Sequence, residues 1–312
     1  MMKFKKFMVL MSAAGLVYGC APRVEDARLA SKSAEARMKG VAWYADGDYP
    51  RALARFSEAL SMDRASDDRK SEALDLVDIG RVYISVNDAV SARRFLGETV
   101  RLSTTEGFHE VLSEAYATLA KVELMENDRP SAMKYIDESI KTDASLSRKE
   151  SGGKLNLKAS IVLSDDRAGE AVALFERALS INESAGDDGE AANSLRGLGD
   201  AAFASGDHAG AFRHYEAAYS KDKRLGLSTR IARDLYGMAE AQLVMGRKDE
   251  ALYLLERSYY VSLSGKDAAF AAKSLGGMIS ILEGSGDIEK ARGLKEIKDG
   301  LESKENTGET LR

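Results

Sequence analysis

The chain has 312 residues, 44% of them hydrophobic and 30% charged, enough apolar matter to bury a core and too much for a disordered chain. Its net charge of −5 gives no reason to expect a nucleic-acid partner. Only three prolines in this length argue for long helices.

The first predicted element is a leader. Lys3, Lys5 and Lys6 open it, and residues 7–17 form an apolar stretch of 11, short for a bilayer span. The stretch "VYGC" then ends on Cys20, the only cysteine. A small residue followed by cysteine behind an apolar run resembles the lipobox of bacterial lipoproteins. That resemblance implies acylation of the Cys20 thiol, cleavage before it, and a further chain on the new amino end. It divides the N-terminus into a signal peptide, 1–19, and a lipidated tether, 20–32. Removing Lys3, Lys5 and Lys6 from the 45 basic residues leaves 42 against 50 acids, a balance of −8. An acidic body does not itself seek an anionic bilayer, so the lipid must hold it there. Ala21 in place of Asp implies, by resemblance to enteric lipoproteins, the outer membrane of a two-membrane cell, facing the periplasm. One cysteine allows no intramolecular disulfide.

From residue 33 to 302 the chain repeats. One column reads Ala52, Ala92, Ala132, Ala171, Ala211, Ala251 and Ala291, at spacings of 40, 40, 39, 40, 40 and 40. Four residues later stand Phe56, Leu96, Ile136, Phe175, Tyr215, Leu255 and Lys295. Twelve earlier stand Gly40, Gly80, Ala120, Ala159, Gly199, Ala239 and Ile279. Small residues let two helices approach, and the large one fills the space between them. Five before each alanine comes Gly47, Asn87, Asn127, Asp166, Gly206, Gly246 or Gly286, types that tolerate a left-handed helix end. Asp48, Asp88, Asp128, Asp207 and Asp287 follow as N-caps of the second helix, and Pro50 and Pro130 fall within its first turn.

Each repeat is therefore helix, tight turn, helix. Gly40, Trp43, Gly47, Tyr49, Ala52, Phe56 and Ala59 in the first repeat resemble the tetratricopeptide pattern, as do Leu198, Gly199, Gly206, Ala211, Tyr215 and Ala218 in the fifth. Stretches such as "AGDDGEAANSLRGLG" are similar to the longer repeats of kinesin light chain and related adaptors. The resemblance implies an all-α, right-handed solenoid of about seven helix-turn-helix repeats. It also implies a binding scaffold rather than an enzyme.

Two repeats depart from the pattern. In the fourth, Gly152 and Gly153 stand where the first helix should begin, which predicts a late start and a soft joint. In the seventh, Lys295 and Lys298 replace apolar residues, while Ile288, Ala291, Leu294, Ile297 and Leu301 form a stripe. That helix is expected to pack inward and cap the array with charge. Residues 303–312 are expected to be a disordered tail.

No column needs catalysis to explain it. His208 and His214 are six residues apart and lie roughly 120° from each other around a helix, so they make no metal pair. There is no G-x-S-x-G, P-loop, H-E-x-x-H or cysteine cluster. Neither cofactor nor metal is expected, and the acidic pair Asp187–Asp188 reads as solvated loop.

In the resembled family the first helices line the concave face. That implies a candidate peptide-binding groove at Asn156, Asn193, Arg196, Asp200, Phe203, Arg233, Tyr236 and Glu240. The same columns in repeats two and three hold mainly Leu74, Val77, Ile84, Leu124 and Met125, an apolar half. Amides can bond a peptide backbone, and Arg can hold a carboxylate bidentately. The expected partner is a protein or peptide lying along Asn193, Arg196, Arg233 and Tyr236, with the membrane reached only through the lipid anchor. The expected role is an envelope scaffold or adaptor. A regulatory or substrate-recognition subunit that binds a peptide or hydrolase client is the alternative.

Overall fold

The computed structural model describes residues 24–307, all-α with no strand among the described residues. The expected signal peptide, Cys20 and residues 308–312 lie outside them. Fourteen helices follow in chain order. They are α1 (Val24–Ala45) and α2 (Tyr49–Ala65), α3 (Arg69–Ser85) and α4 (Ala89–Glu106), α5 (His109–Met125) and α6 (Arg129–Ser145), and α7 (Gly152–Ser164) and α8 (Ala168–Ala185). Then come α9 (Asp188–Ala204) and α10 (His208–Leu225), α11 (Ser228–Val244) and α12 (Lys248–Ser264), and α13 (Ala268–Ser285) and α14 (Ile288–Thr307). They fall into two compact units, one through Asp75 and one from Leu76. Helix α1 begins inside the stretch expected as a tether, and α14 runs past 302 into the expected tail.

The turn within each repeat is made as its residue types predict. Gly47, Asn87, Asn127, Asp166, Gly206, Gly246 and Gly286 all have positive φ, between 58° and 84°. The carboxylates of Asp48, Asp88, Asp128 and Asp207 each accept the backbone N–H three residues on, and Asp287 does so at 3.4 Å. A second left-handed column joins one repeat to the next: Asp67, Gly107, Ser147, Gly186, Gly226 and Lys266. Only half of it is glycine, which hid it from a reading by residue type.

Packing follows the columns. The aligned alanines are at most 1% exposed. At Gly40 a Cβ would meet the Phe56 ring at 2.7 Å, and at Gly199 it would meet Tyr215 at the same distance. A further small column lies between repeats, where a Cβ on Gly197 would meet the Phe175 ring at 2.2 Å. These approaches need the absence of a side chain.

The joints hold a buried polar column at the same period: Asp63, Ser103, Asp143, Asn182, Asp222 and Ser262. Its partners differ from joint to joint, and the Ser103 hydroxyl has none. In the first unit Asp63 is buried and Arg37 pairs with Asp75 at 3.7 Å. At α6–α7 the Lys154 ammonium donates to Asp143 at 2.5 Å and to Ser113 at 2.6 Å. At α8–α9 Asn182 donates to Ser194, whose hydroxyl reaches Asn156 Oδ1. At α12–α13 the hydroxyls of Ser258 and Ser274 meet at 2.9 Å.

Helix α7 does start late, at Gly152, and has 13 residues against 17 in α9. The α6–α7 joint is the sparsest of those between successive repeats in the second unit, as a soft joint implies, but polar ties hold the start. Besides the Lys154 bonds, Ser151 caps the helix, and a Cβ on Gly152 would meet Asn182 Oδ1 at 2.0 Å. The glycines serve close approach. In α14 the expected stripe is narrower than five residues. Ala291 and Leu301 are buried and Leu294 is half-buried, whereas Ile288 and Ile297 are exposed.

Candidate peptide-binding face

The expected groove residues lie on α7, α9 and α11 of the second unit, but they do not all face a ligand. Asn156 is buried. Its amide donates to the Glu190 carbonyl and carboxylate, each at 3.0 Å, and its oxygen accepts from Ser194 at 2.8 Å. Both N–H donors are used, and burial keeps the partly engaged oxygen from a peptide backbone. Arg196 is likewise committed. Its Nε donates to Asp234 at 2.7 Å, an Nη donates to Asp222, and the other Nη donates to Asn193 Oδ1 at 2.9 Å. Both aspartates are fully buried. A guanidinium with those partners cannot clamp a ligand carboxylate, so the expected roles of Asn156 and Arg196 are corrected to structural ones.

The Arg196 cluster carries two carboxylates for one guanidinium. Burial pushes Asp234 up from the ordinary carboxylate range, and the neighbouring Asp222 carboxylate adds to the rise while Arg196 opposes it. One oxygen on each aspartate has no other hydrogen-bond partner. A proton shared between the two carboxylates would satisfy both.

The remaining expected residues do line an open face. Asp200 accepts the Tyr215 hydroxyl at 2.8 Å, and its carboxyl is pushed up by burial against the pull of that bond and of Arg196. Glu240 is also pushed up by burial, with Lys273 and the Tyr236 hydroxyl opposing. Both side chains are open at the surface, yet protein rings them closely enough to strip hydration, as on the wall of a concavity. Tyr236 packs edge-on against Phe270 at 5.6 Å with the Lys273 ammonium 4.3 Å from its ring. Arg233 is exposed, 5.9 Å from the Phe270 ring. Phe203 is partly buried against the core and meets His208 edge-on at 5.0 Å.

Sequence reasoning missed Lys121 and Arg81. The half expected to be apolar is only partly so in the second unit: Met125 is exposed, but Val77 is buried, and Ile84 and Leu124 pack on core clusters. Its open positions carry Arg81 and Lys121. Lys121 makes no hydrogen bond or ion pair, and burial lowers its pKa. It feels Glu114 on its own helix and charges on three other first helices, Arg81, Glu190 and Arg230. A cavity of about 230 Å³ runs beside it, lined also by Asn193, Ser160, Glu190 and Asp200. A larger cavity, about 510 Å³, lies on the first unit beside Met38 and Val41. Its charged groups are already engaged or buried, Arg37 on Asp75 and Asp63 beneath the surface, which leaves mostly alanine and aliphatic lining.

The histidines are ordinary packing residues. His208 meets Phe203 edge-on, and burial lowers the pKa of His214. Among the described residues no group of three or more His, Cys, Asp or Glu side chains could hold a metal ion. Asp187 caps α9, and Asp188 bonds Lys221 rather than standing free in solvent.

Comparison with known proteins places this architecture. The tetratricopeptide repeat family model matches residues 152–224, the stretch of α7 to α10. A search of curated proteins finds no match to the sequence. Among solved structures, a Rap protein complexed with competence and sporulation factor superposes with a TM-score of 0.70 at 13% identity, covering 88% of this chain and 75% of that one. The apo form of RapI gives 0.64 at 11% identity, covering 88% and 99%. BtubC from P. vanneervenii gives 0.57 at 20% identity, covering 70% and 91%. At such identities the likeness is one of fold. The chain thus carries tetratricopeptide-type repeats, and fold and face together suggest a partner-binding repeat protein, scaffold or regulator.

Proposed function

We propose that the protein is a non-catalytic, lipid-anchored scaffold or adaptor that holds a protein or peptide partner in a bacterial envelope complex. The observation that carries this reading is the open face of the second unit. There Lys121 and Asp200 border a cavity, and Arg233 and Glu240 stand on the same run of first helices beside the Tyr236–Phe270 aromatic pair, none of the four in an ion pair. Ordinary exposed charges are hydrated and cost nothing. Charges held on a desolvating wall gain from a partner that completes them.

Anchoring rests on the sequence alone. Cys20 follows an apolar leader at the place where acylation would occur, and the outer membrane is the proposed location because Ala21 follows. No helix among the described residues is long and apolar enough to cross a membrane. A lipid would therefore hold the described part at the surface.

Capture from envelope extracts tests the binding role. Immobilised wild-type protein is compared with a variant carrying Lys121→Glu and Arg233→Glu. The same protein, enriched on the wild type and lost on the variant at unchanged helicity, is the expected result. Equal capture by both would remove this face from the reading.

A further inference from the structure

One register position runs across the open face of the second unit: Arg81 on α3, Lys121 on α5, Ser160 on α7, Asp200 on α9 and Glu240 on α11. The row is charge-segregated, two cations, a neutral hydroxyl, then two acids. The groups around it are mostly committed elsewhere. At the cationic end Glu114 pairs with Arg81 and Lys154, Glu190 accepts from Asn156, and Arg230 donates to the Gly189 carbonyl. Arg81 also pairs with Asp78, and Lys121 makes no ion pair, though the Glu190 carboxylate borders the same cavity and favours its ammonium form. At the acidic end Arg196 is held by Asp222 and Asp234, and the Lys273 ammonium rests on the Tyr236 ring. Neither Asp200 nor Glu240 makes an ion pair. The free protein thus holds an ammonium without an ion pair at one end of the row and two such carboxylates at the other, with a cavity bordered by Lys121 and Asp200.

We propose that this face takes an extended polypeptide segment whose own charges are segregated, with carboxylates over Lys121 and a basic side chain or free amine against Asp200 and Glu240. The proposal rests on the face being the partner-binding surface and adds the chemistry of what it selects. Aromatic walls suit the basic end, since Tyr236 and Phe270 already attract two cations of the protein itself, Lys273 and Arg233. Spacing sets the ligand's length. Lys121 and Asp200 stand two repeats apart, about 20 Å at ordinary helix-packing distances, which an extended chain covers in about six residues. A partner with evenly mixed charges would set a like charge against each end, which disfavours it.

Fluorescence anisotropy with labelled synthetic peptides tests this. The probe has a glutamate block and a lysine block separated by about six Gly/Ser residues, matching that span. The control has the same composition with its charges interleaved, and all-glutamate and all-lysine peptides complete the set. Wild type should bind the segregated peptide at least about tenfold more tightly than the interleaved one, and less tightly as salt rises. Asp200→Lys with Glu240→Lys should shift preference to the all-glutamate peptide, and Lys121→Glu to the all-lysine peptide. Neutral changes, Asp200→Asn with Glu240→Gln, serve if the reversals unfold the protein, and they should erase the tenfold preference. Equal binding of segregated and interleaved peptides by wild type, or no binding of either, overturns the proposal. If face variants weaken every peptide alike, the face binds but charge segregation is wrong. If no face variant alters any peptide, the face itself is the wrong surface.

Discussion

Arg196 shows how much one side chain's role depends on what surrounds it. Spread over Asp222, Asp234 and Asn193, it neutralises carboxylates that have no access to water. Arg196→Ala would leave two buried acids without a cation, and removal of one partner from a buried pair costs about 3–5 kcal/mol. Denaturant unfolding should register that loss. Replacing Arg196, Asp222 and Asp234 together by Met, Leu and Leu should recover most of it, because no charge is then left buried. Asp200 behaves in the opposite sense. Its carboxyl is pushed up in the fold, so the folded protein favours the protonated form. Below the ordinary carboxylate pKa of about 3.9 both folded and unfolded states are protonated and no penalty exists. As pH rises toward the raised folded value the penalty grows, and it persists above that value. Asp200→Asn keeps an oxygen for the Tyr215 hydroxyl. It should therefore raise the melting temperature at neutral pH, with a gain that shrinks toward pH 4. A group that costs stability yet stays on the open face fits a binding role.

At the scale of elements, the joints differ although the helices repeat. Lys154 at the start of α7 ties that helix to α6 through Asp143 and to α5 through Ser113. Lys154→Ala would strand the buried Asp143 carboxylate, of which Arg148 reaches one oxygen at 3.5 Å. The expected cost is again about 3–5 kcal/mol, localised at this joint. Hydrogen exchange should show 152–164 protected as well as 191–199 in the wild type and released early in the variant. Early exchange of 152–164 in the wild type would mean that the glycines dominate and the bonds do not. Between repeats, Gly197 lies against the Phe175 ring. Gly197→Ala should cost about 1–3 kcal/mol by overpacking, measurable by the same unfolding curves.

For the whole molecule, the repeating arrangement makes ends special. Helix α14 covers Ala271 and Leu275 through Leu301 and Leu294, and it shows charge elsewhere, with Lys295 paired to Glu283. A chain ending after Ser285 should expose that cluster, unfold at lower denaturant and self-associate in sedimentation. The N-terminal end carries the proposed anchor. Cys20→Ser removes the thiol that would be acylated, so metabolic labelling with an acyl probe should be lost. Retained labelling would place the lipid elsewhere or remove it from the account.

The sequence by itself determined the helix pairs, their turns and their closest approaches. Those features depend on residue size, left-handed tolerance and capping within a few positions of one another. A period of 40 repeats each signal five to seven times, so Ala52, Gly47 and Asp48 state the rule and the later repeats restate it. The second left-handed column stayed hidden because Asp67, Ser147 and Lys266 fill it alongside glycine. Register also placed Asp200, Arg233, Tyr236 and Glu240 on the open face. It could not separate them from Asn156 and Arg196, which share that face by angle alone. Tertiary structure made that division. Arg196 turns inward because Asp222 and Asp234 wait there, 26 and 38 residues along the chain, and Asn156 because Glu190 and Ser194 do. Whether a polar side chain serves the fold or a partner depends on which buried groups lack a mate, and those mates are set by packing between repeats rather than by local order. Lys121 is the contrast to Arg196: a charge that packing left without an ion pair, with Glu190 bordering the same cavity.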